Sequence, residues 1–363
     1  MRNKPYPYYP IADVRTLRDL LIYGREHGKD HTIFYTGKQN DRPMSFRSAF
    51  AAVEAMGTFL LSEGYRGARI ALLGENSTEW CLSYFAVTNS GNTVVPLDRE
   101  LPKEELAELL RRCGCSALLY SDKYAAHAAL FQSLPALPPL RCYPLSGFDG
   151  YVSRGEALLA GGDTAFADTV IEPDTLACIV YTSGTSGKSK GVMLSHGNLA
   201  SDVVATCQCV TASNTQIFLP MNHTFSWASA MFAAFLYSVD AHISGNMKRI
   251  VKDLNRNKPQ NISAVPVMVE MLYNGIWTGA RSLRPSRSSA RSTGSAGPSS
   301  SPGSATAKSR RFPSFSTTSC ACASPRRWSG AWKTPRPRSI SPRRSITCSP
   351  CAAISAVSTR ART

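Results

Sequence analysis

Tyr181-Thr182-Ser183-Gly184-Thr185-Ser186-Gly187-Lys188-Ser189-Lys190-Gly191 is the stretch on which the reading of this chain turns. It follows Leu176-Ala177-Cys178-Ile179-Val180, a short apolar run that predicts a buried strand. After it, Val192-Met193-Leu194-Ser195 predicts a second strand. Glycines, hydroxyl side chains and two lysines lie between them, with no acidic residue. Such a loop can turn backbone N–H groups and hydroxyls inward around a polyanion, because glycine permits the turns and the close approach. It reads as a phosphate cradle. A Walker A loop has four residues between its first Gly and the Gly-Lys-Ser/Thr, and it opens a helix. Here two residues separate Gly184 from Gly187-Lys188-Ser189, and apolar, partly β-branched residues follow. The spacing excludes a Walker loop.

The stretch resembles instead the signature of the AMP-forming acyl-adenylating enzymes (acyl-CoA synthetases, luciferases, peptide-synthetase adenylation domains), Tyr-Thr-Ser-Gly-Thr-Thr-Gly-x-Pro-Lys-Gly. Eight of its ten specified positions are identical here. Ser186 keeps the hydroxyl of the family's Thr, and Ser189 in place of Pro loses only a fixed φ. Further landmarks follow the family's order: Ile70-Ala71-Leu72-Leu73-Gly74-Glu75-Asn76 with Glu79-Trp80, then Gly91 to Asp98, then Leu219-Pro220-Met221-Asn222-His223-Thr224-Phe225. Val265 to Tyr273 is similar to the corresponding stretch of long-chain fatty acyl-CoA synthetases in particular. The resemblance covers residues 1 to about 277.

What the resemblance implies is ATP-dependent activation of a fatty or other carboxylic acid to acyl-AMP, with pyrophosphate leaving, and then capture by a thiol such as coenzyme A. Thr182, Ser183, Thr185 and Ser186 would bond the phosphates of ATP, and Gly184 and Gly187 would let the backbone close around them. Thr185 would help to place Mg²⁺, and Lys190 would steady the loop and the departing pyrophosphate. Lys188, at the variable position, reads as a solvated charge. His223 would line the acyl pocket near the carboxylate, with Phe225 and Trp227 as apolar wall. His196 is read as a turn or helix-entry residue, and Asn76 and Trp80 as fold landmarks. An amino-acid or aryl-acid adenylating enzyme, or a nucleotide-binding remnant without chemistry, stays open beside the fatty-acid reading.

Periodicity gives the frame. Strands are expected at His31–Tyr35, Arg69–Leu73, Thr93–Pro96, Ala117–Tyr120, Gln216–Pro220 and Ile262–Val265. Helices are expected at Thr16–Gly28, Met44–Gly64, Glu79–Asn89, Lys103–Cys113, Asn198–Val210, Thr224–Val239, Asn246–Asn257 and Val267–Trp277. Residues 37–43 read as a turn and Leu134–Tyr143 as a proline-rich surface connection. Alternating strands and helices imply an α/β fold with a largely parallel sheet, and by resemblance the N-terminal part of the acyl-adenylate synthetase fold.

The formal charge of +16 first suggests a nucleic-acid or membrane binder, until it is located. Over residues 1–270, 25 Lys and Arg balance all 25 Asp and Glu, so the whole excess lies beyond Glu270. The 11 cysteines show no convincing zinc spacing. No signal-peptide pattern or run long enough to span a bilayer is visible, and a reducing cytoplasm is the simplest home. The domain division expected is 1–277, an incomplete AMP-binding domain, and 278–363, a Ser/Arg/Pro/Ala-dominated tail without Asp, Glu, Asn, Gln, His or Tyr. That composition predicts disorder.

The tail is read as reading-frame slippage in a GC-rich gene, and the other account is an Arg/Ser-rich arm that binds RNA or another polyanion. The family's Tyr-Gly-x-Thr-Glu and Thr-Gly-Asp segments have no counterpart, and no carboxylate follows Glu270 to replace them. The expectation is a truncated, inactive product. Translating the gene in its other two frames after codon 277 should recover a Tyr-Gly-x-Thr-Glu-like stretch. Its absence from both frames would contradict slippage.

Overall fold

The structure is a computed structural model, and it describes residues 13–36, 42–135, 137–182, 189–209, 214–244 and 249–282. The chain divides into units Met1–Ala280 and Arg281–Thr363, and every described residue except Arg281 and Ser282 belongs to the first. Its first half runs α1 (Leu17–Gly28), β1 (Thr32–Thr36), β2 (Arg42–Ser45), α2 (Phe46–Ser62), β3 (Arg69–Leu73), α3 (Thr78–Asn89), β4 (Thr93–Pro96), α4 (Lys103–Cys113), β5 (Ala117–Tyr120), α5 (Ala125–Ser133) and β6 (Arg141–Pro144). Then come α6 (Phe148–Ala160), α7 (Ala165–Asp168), β7 (Leu176–Thr182), β8 (Lys190–Ser195), α8 (His196–Cys209), β9 (Asn214–Ile217), α9 (Thr224–Ser226), α10 (Ala233–Tyr237), β10 (Asp240–Ile243), α11 (Ile250–Asn257), β11 (Asn261–Ile262) and α12 (Pro266–Ser282).

Local chemistry starts the helices where the sequence says. Thr16 accepts a bond from the Asp19 amide at 3.1 Å, and the Asp19 carboxylate accepts one from the Thr16 amide at 2.9 Å. This reciprocal box satisfies two donors that a helix start leaves open. Ser45 and Ser77 cap α2 and α3 in the same way through single bonds. At the end of α4, Gly114 takes φ 61°, the left-handed turn that stops the helix and redirects the chain into β5.

Two sheets result. One has the order β6-β5-β3-β4-β7-β8, parallel except for β8, which runs antiparallel to β7. The other has the order β11-β9-β10-β1-β2, parallel except for β2. Period-2 alternation assigns the faces: Ile70 and Leu72 of β3 enter the large core, while Ala71 and Leu73 enter a second one under α4 and α5. The large core also takes Phe34 of β1 and Ala241 of β10, so α1, α2, α3, α8 and α10 lie between the sheets and are shared by both. In α3, 11 of 12 residues are buried, as a helix enclosed on every side requires. Its Tyr84 and Phe85 meet Trp227, Phe232 and Phe235, with ring centroids as close as 4.8 Å for Phe85 and Phe235, and Trp80 packs on Tyr84 at 5.7 Å.

Several expectations need correction. The proline-rich connection at 134–143 ends in an edge strand, β6, which pairs with β5 through backbone bonds that Pro144 tolerates at its end. The apolar helix expected to reach Val239 stops at Ser238 in a left-handed turn, and β10 follows. Its middle, Trp227–Phe232, is π-helical. Arg42–Ser45 is a strand rather than the end of a turn and the opening of a helix, which starts at Phe46. On α12, the sequence spacing puts Val269, Leu272, Tyr273 and Ile276 on one side, but Met268 and Leu272 face the body while Val269, Tyr273 and Ile276 are exposed. Residues 37–41, Asn246 and the tail from 283 onward lie outside the described residues.

Helices α2 and α6 meet at Gly155, where an added Cβ would stand 1.9 Å from the Ala55 carbonyl oxygen. Backbone cannot yield as a flexible side chain would, so Gly155→Ala should lower stability by about 1–3 kcal/mol, the usual cost of overpacking. Urea unfolding followed by circular dichroism reads this as a lower midpoint. An unchanged midpoint would show that the two helices are not packed this closely.

Candidate phosphate-loop hairpin

Strands β7 and β8 form an antiparallel pair in which Val180 faces Val192, Tyr181 faces Gly191 and Thr182 faces Lys190. The apolar residues Ala177 to Val180 are buried and fix β7 in the sheet. Thr182 and Lys190 are exposed. The pairing therefore holds the two ends of the glycine-rich segment side by side at the sheet edge, open to solvent. Of the residues expected to bind nucleotide, Thr182 and Lys190 are brought together. Ser183, Gly184, Thr185, Ser186 and Gly187 lie outside the described residues, and so does Lys188.

Helix α4 grips the hairpin. Arg112 donates to the Ser189 carbonyl oxygen at 2.9 Å, and the Ser189 hydroxyl donates to Glu105 at 2.9 Å. The Arg112 guanidinium stands 5.9 Å from the centre of the Tyr181 ring. The Tyr181 hydroxyl lies 3.1 Å from the Cys113 sulfur, and burial pushes its pKa up. Gly191 lies under that ring: an added Cβ would come within 3.4 Å of it and 3.2 Å of Ile179. Motif reading did not find Glu105 and Arg112. Their separation of two helical turns, which places them on one face of α4, is the signal that was available.

His223 sits elsewhere, after β9 of the other sheet. It precedes α9 with its side chain exposed and caps nothing. Phe225 is also exposed, but Trp227 is not a pocket wall: it is buried between Tyr84 and Phe232. The backbone before His223 is held by Asn76, whose amide donates to Leu219 O at 2.8 Å and accepts from Met221 N at 2.9 Å. Asn76 also reaches Ser244 O at 3.4 Å, so this buried side chain pins the turn after β3 to the ends of β9 and β10.

A cavity of about 280 Å³ opens beside Glu75, Glu79, Asp122 and Asp149. Four carboxylates make it unsuited to a triphosphate. Among the described residues no group of three or more His, Cys, Asp and Glu could hold a metal ion, and no helix is long and apolar enough to cross a membrane.

Comparison with known proteins adds the family. The model of the AMP-binding enzyme family matches residues 24–323, well over half of the chain. The chain belongs to the AMP-binding enzyme family. Among AMP-binding relatives, the chain is 23% identical over 298 residues to long chain acyl-CoA synthetase 6, peroxisomal, of Arabidopsis thaliana, covering 75% of this chain and 41% of that one. It is 28% identical over 232 residues to a chloroplastic long-chain-fatty-acid–[acyl-carrier-protein] ligase of the same plant, covering 57% and 32%. The structure of o-succinylbenzoate CoA synthetase from Bacillus subtilis, in complex with its acyl-adenylate intermediate, superposes with a TM-score of 0.56 at 20% identity, covering 70% and 63%. That likeness shows the fold: the mixed α/β arrangement is that of the N-terminal domain of adenylate-forming enzymes. The chain spans about half or less of the length of the curated relatives it matches.

His196, which ends the stretch after β8, opens α8 and is fully buried. Its Nδ1 accepts from the Leu17 amide at 3.3 Å. Burial, and then the charge of Arg18, lower its pKa to about 4 from 6.5. Above pH 6.5 both the folded and unfolded states are neutral at this residue. Between pH 6.5 and 4 the unfolded state takes up a proton that the folded state refuses, so stability falls with pH by about 3 kcal/mol in total. Urea midpoints measured across that window should drop for the natural chain, with a shallower drop for His196→Asn. Parallel profiles for the two would contradict a buried neutral imidazole.

Proposed function

We propose that the hairpin cradles the triphosphate of ATP while a carboxylic acid attacks the α-phosphorus, forming acyl-AMP and releasing pyrophosphate. The observation that carries this is the Thr182–Lys190 pairing, which holds the signature's ends together at an exposed sheet edge. Nucleotidyl transfer asks mainly for positioning and charge stabilisation. The hydroxyls of Thr182, Ser183, Thr185 and Ser186 would bond phosphate oxygens, Gly184 and Gly187 would let amides approach, and Lys190 would meet the pyrophosphate charge. Mg²⁺ binds through carboxylates and substrate phosphates. The loop offers hydroxyls only, so the ion would be held chiefly by the triphosphate, with Thr185 adding one oxygen.

A fatty acid is the favoured substrate, supported by Val265 to Tyr273 and by the long-chain relatives. Coenzyme A is the favoured thiol. The carrier-protein ligase leaves a second acceptor open, and the o-succinylbenzoate enzyme keeps an aromatic acid as the second reading. His223, exposed beside Phe225, stands as the residue nearest the acyl group in this proposal. A cytoplasmic location also remains part of it.

We further infer that the 363-residue chain does not turn over alone. It has no Asp or Glu after Glu270 to hold ribose or metal, and losing a single electrostatic group at a transition state costs about 3 kcal/mol. The purified chain should show no fatty-acid-dependent exchange of pyrophosphate into ATP. Exchange above a no-acid control would overturn this inference and would support the adenylation reading directly.

A further inference from the structure

Helices α11 and α12 form a surface that the adenylation reading leaves without a role. Ile217 of β9 enters the large core, and the next residue, Phe218, points the other way. There it packs with Ile250 and Leu254 of α11 and with Met268 and Leu272 of α12. The opposite side of α12 has no such cover. Val269, Tyr273 and Ile276, spaced i, i+4 and i+7, and Trp277 beside them each leave half or more of their surface in solvent. The rings of Tyr273 and Trp277 meet edge to face, with centroids 6.0 Å apart. A helix that is apolar on two faces is built for burial on both. Contiguous apolar surface of this kind marks an interaction site.

The charge beside the stripe has one sign. Lys252 and Arg256 of α11, and Lys258 just after it, are exposed. The one acid of α11, Asp253, is buried and taken up by the Ser244 hydroxyl at 2.6 Å and by Arg249 at 3.5 Å. Glu270 is the one acid of α12, and its position puts it with Asn274 along one edge of the stripe. After Glu270 the sequence carries 16 Lys and Arg and no Asp or Glu, whereas residues 1–270 are neutral.

We propose that this face docks the chain on an anionic lipid bilayer, with α12 lying in the plane of the surface. Val269 and Ile276 enter the acyl boundary, and Lys252, Arg256 and Lys258 meet the lipid headgroups. Tyr273 and Trp277 suit the headgroup level, since each ring has an apolar body and a polar edge. The helix does not cross: no described helix is long and apolar enough to do so, and an apolar stripe with a basic flank lies in the interface. Charge complementarity decides the occupant. A second copy, docked by the same face, would set these basic residues against themselves. Valine and isoleucine neither stack on bases nor bond phosphates, so a nucleic acid leaves the stripe unused. Anionic lipid meets both the stripe and its positive flank.

Flotation tests this with the full chain and without any nucleotide. Mixed with vesicles of phosphatidylcholine and phosphatidylserine and spun in a density gradient, the chain should rise with the lipid, whereas aggregates sink. Vesicles of phosphatidylcholine alone should bind it at least about tenfold more weakly, and so should the mixed vesicles at high salt. Val269→Glu with Ile276→Glu, both at exposed positions, should keep the circular dichroism and the urea midpoint but weaken binding at least about tenfold. Lys252→Gln with Arg256→Gln should weaken binding to the mixed vesicles by about as much. Brominated acyl chains should quench the tryptophan emission of the natural chain more than that of Trp277→Phe. Equal binding to both lipids, binding that the double Glu substitution leaves intact, or quenching that Trp277→Phe does not alter would each overturn the proposal. So would a lipid-free dimer dissolved by the double Glu substitution, because a second copy would then be the occupant. Retention on single-stranded RNA that the same substitution abolishes would overturn it too. None of these readouts depends on whether the chain adenylates an acid.

Discussion

The structure depends on one rung of backbone pairing, Thr182 against Lys190. An antiparallel return needs no crossover helix, so a short segment can leave the sheet and re-enter it beside itself. The apolar stretch Ala177 to Val180 anchors the outgoing strand in the core. Seven residues, Ser183 to Ser189, then have fixed ends and a composition suited to wrapping an anion. Had the chain continued into a helix, as a Walker loop does, the same glycines would have met a dipole rather than a second strand.

That rung is held from two directions. Helix α4 lies against it on the outside, with Arg112 and Glu105 on the loop end and Cys113 on Tyr181. On the inside the six-stranded sheet rests on the helical layer shared with the five-stranded one, where Trp80, Tyr84 and Phe85 fill the space between sheets. Asn76 is the polar counterpart of that apolar joint: its one amide satisfies backbone groups just past the ends of β9 and β10, at the point where the segment with His223 leaves the sheet. A buried amide that meets its donors and acceptors this fully adds orientation that apolar packing alone does not give.

Much of this is legible in the sequence, for physical reasons that particular elements show. β3, β4, α4 and β5 fall at the expected residues because each is a short periodic run bounded by Gly, Pro or a capping residue. β6, at a sheet edge, and β10, between β9 and β1, escape because a strand of four residues needs only partners, and partners are tertiary information. The motif around Trp227 suggests a pocket wall; helical geometry turns the ring inward, 1% exposed, while Phe225 stays out. The hairpin is readable as a candidate site from composition and order. Its clasp is not, since Arg112 and Ser189 are 77 positions apart and meet only once α4 packs on the sheet.

Amide hydrogen exchange on the full chain, with and without millimolar Mg-ATP, tests the central claim most directly. If the hairpin is a triphosphate cradle, the nucleotide slows exchange in residues 182–191 and leaves the α2, α6 and β10 amides unchanged. Protection confined to some other surface, or none at 182–191 while nucleotide is demonstrably bound, would contradict it.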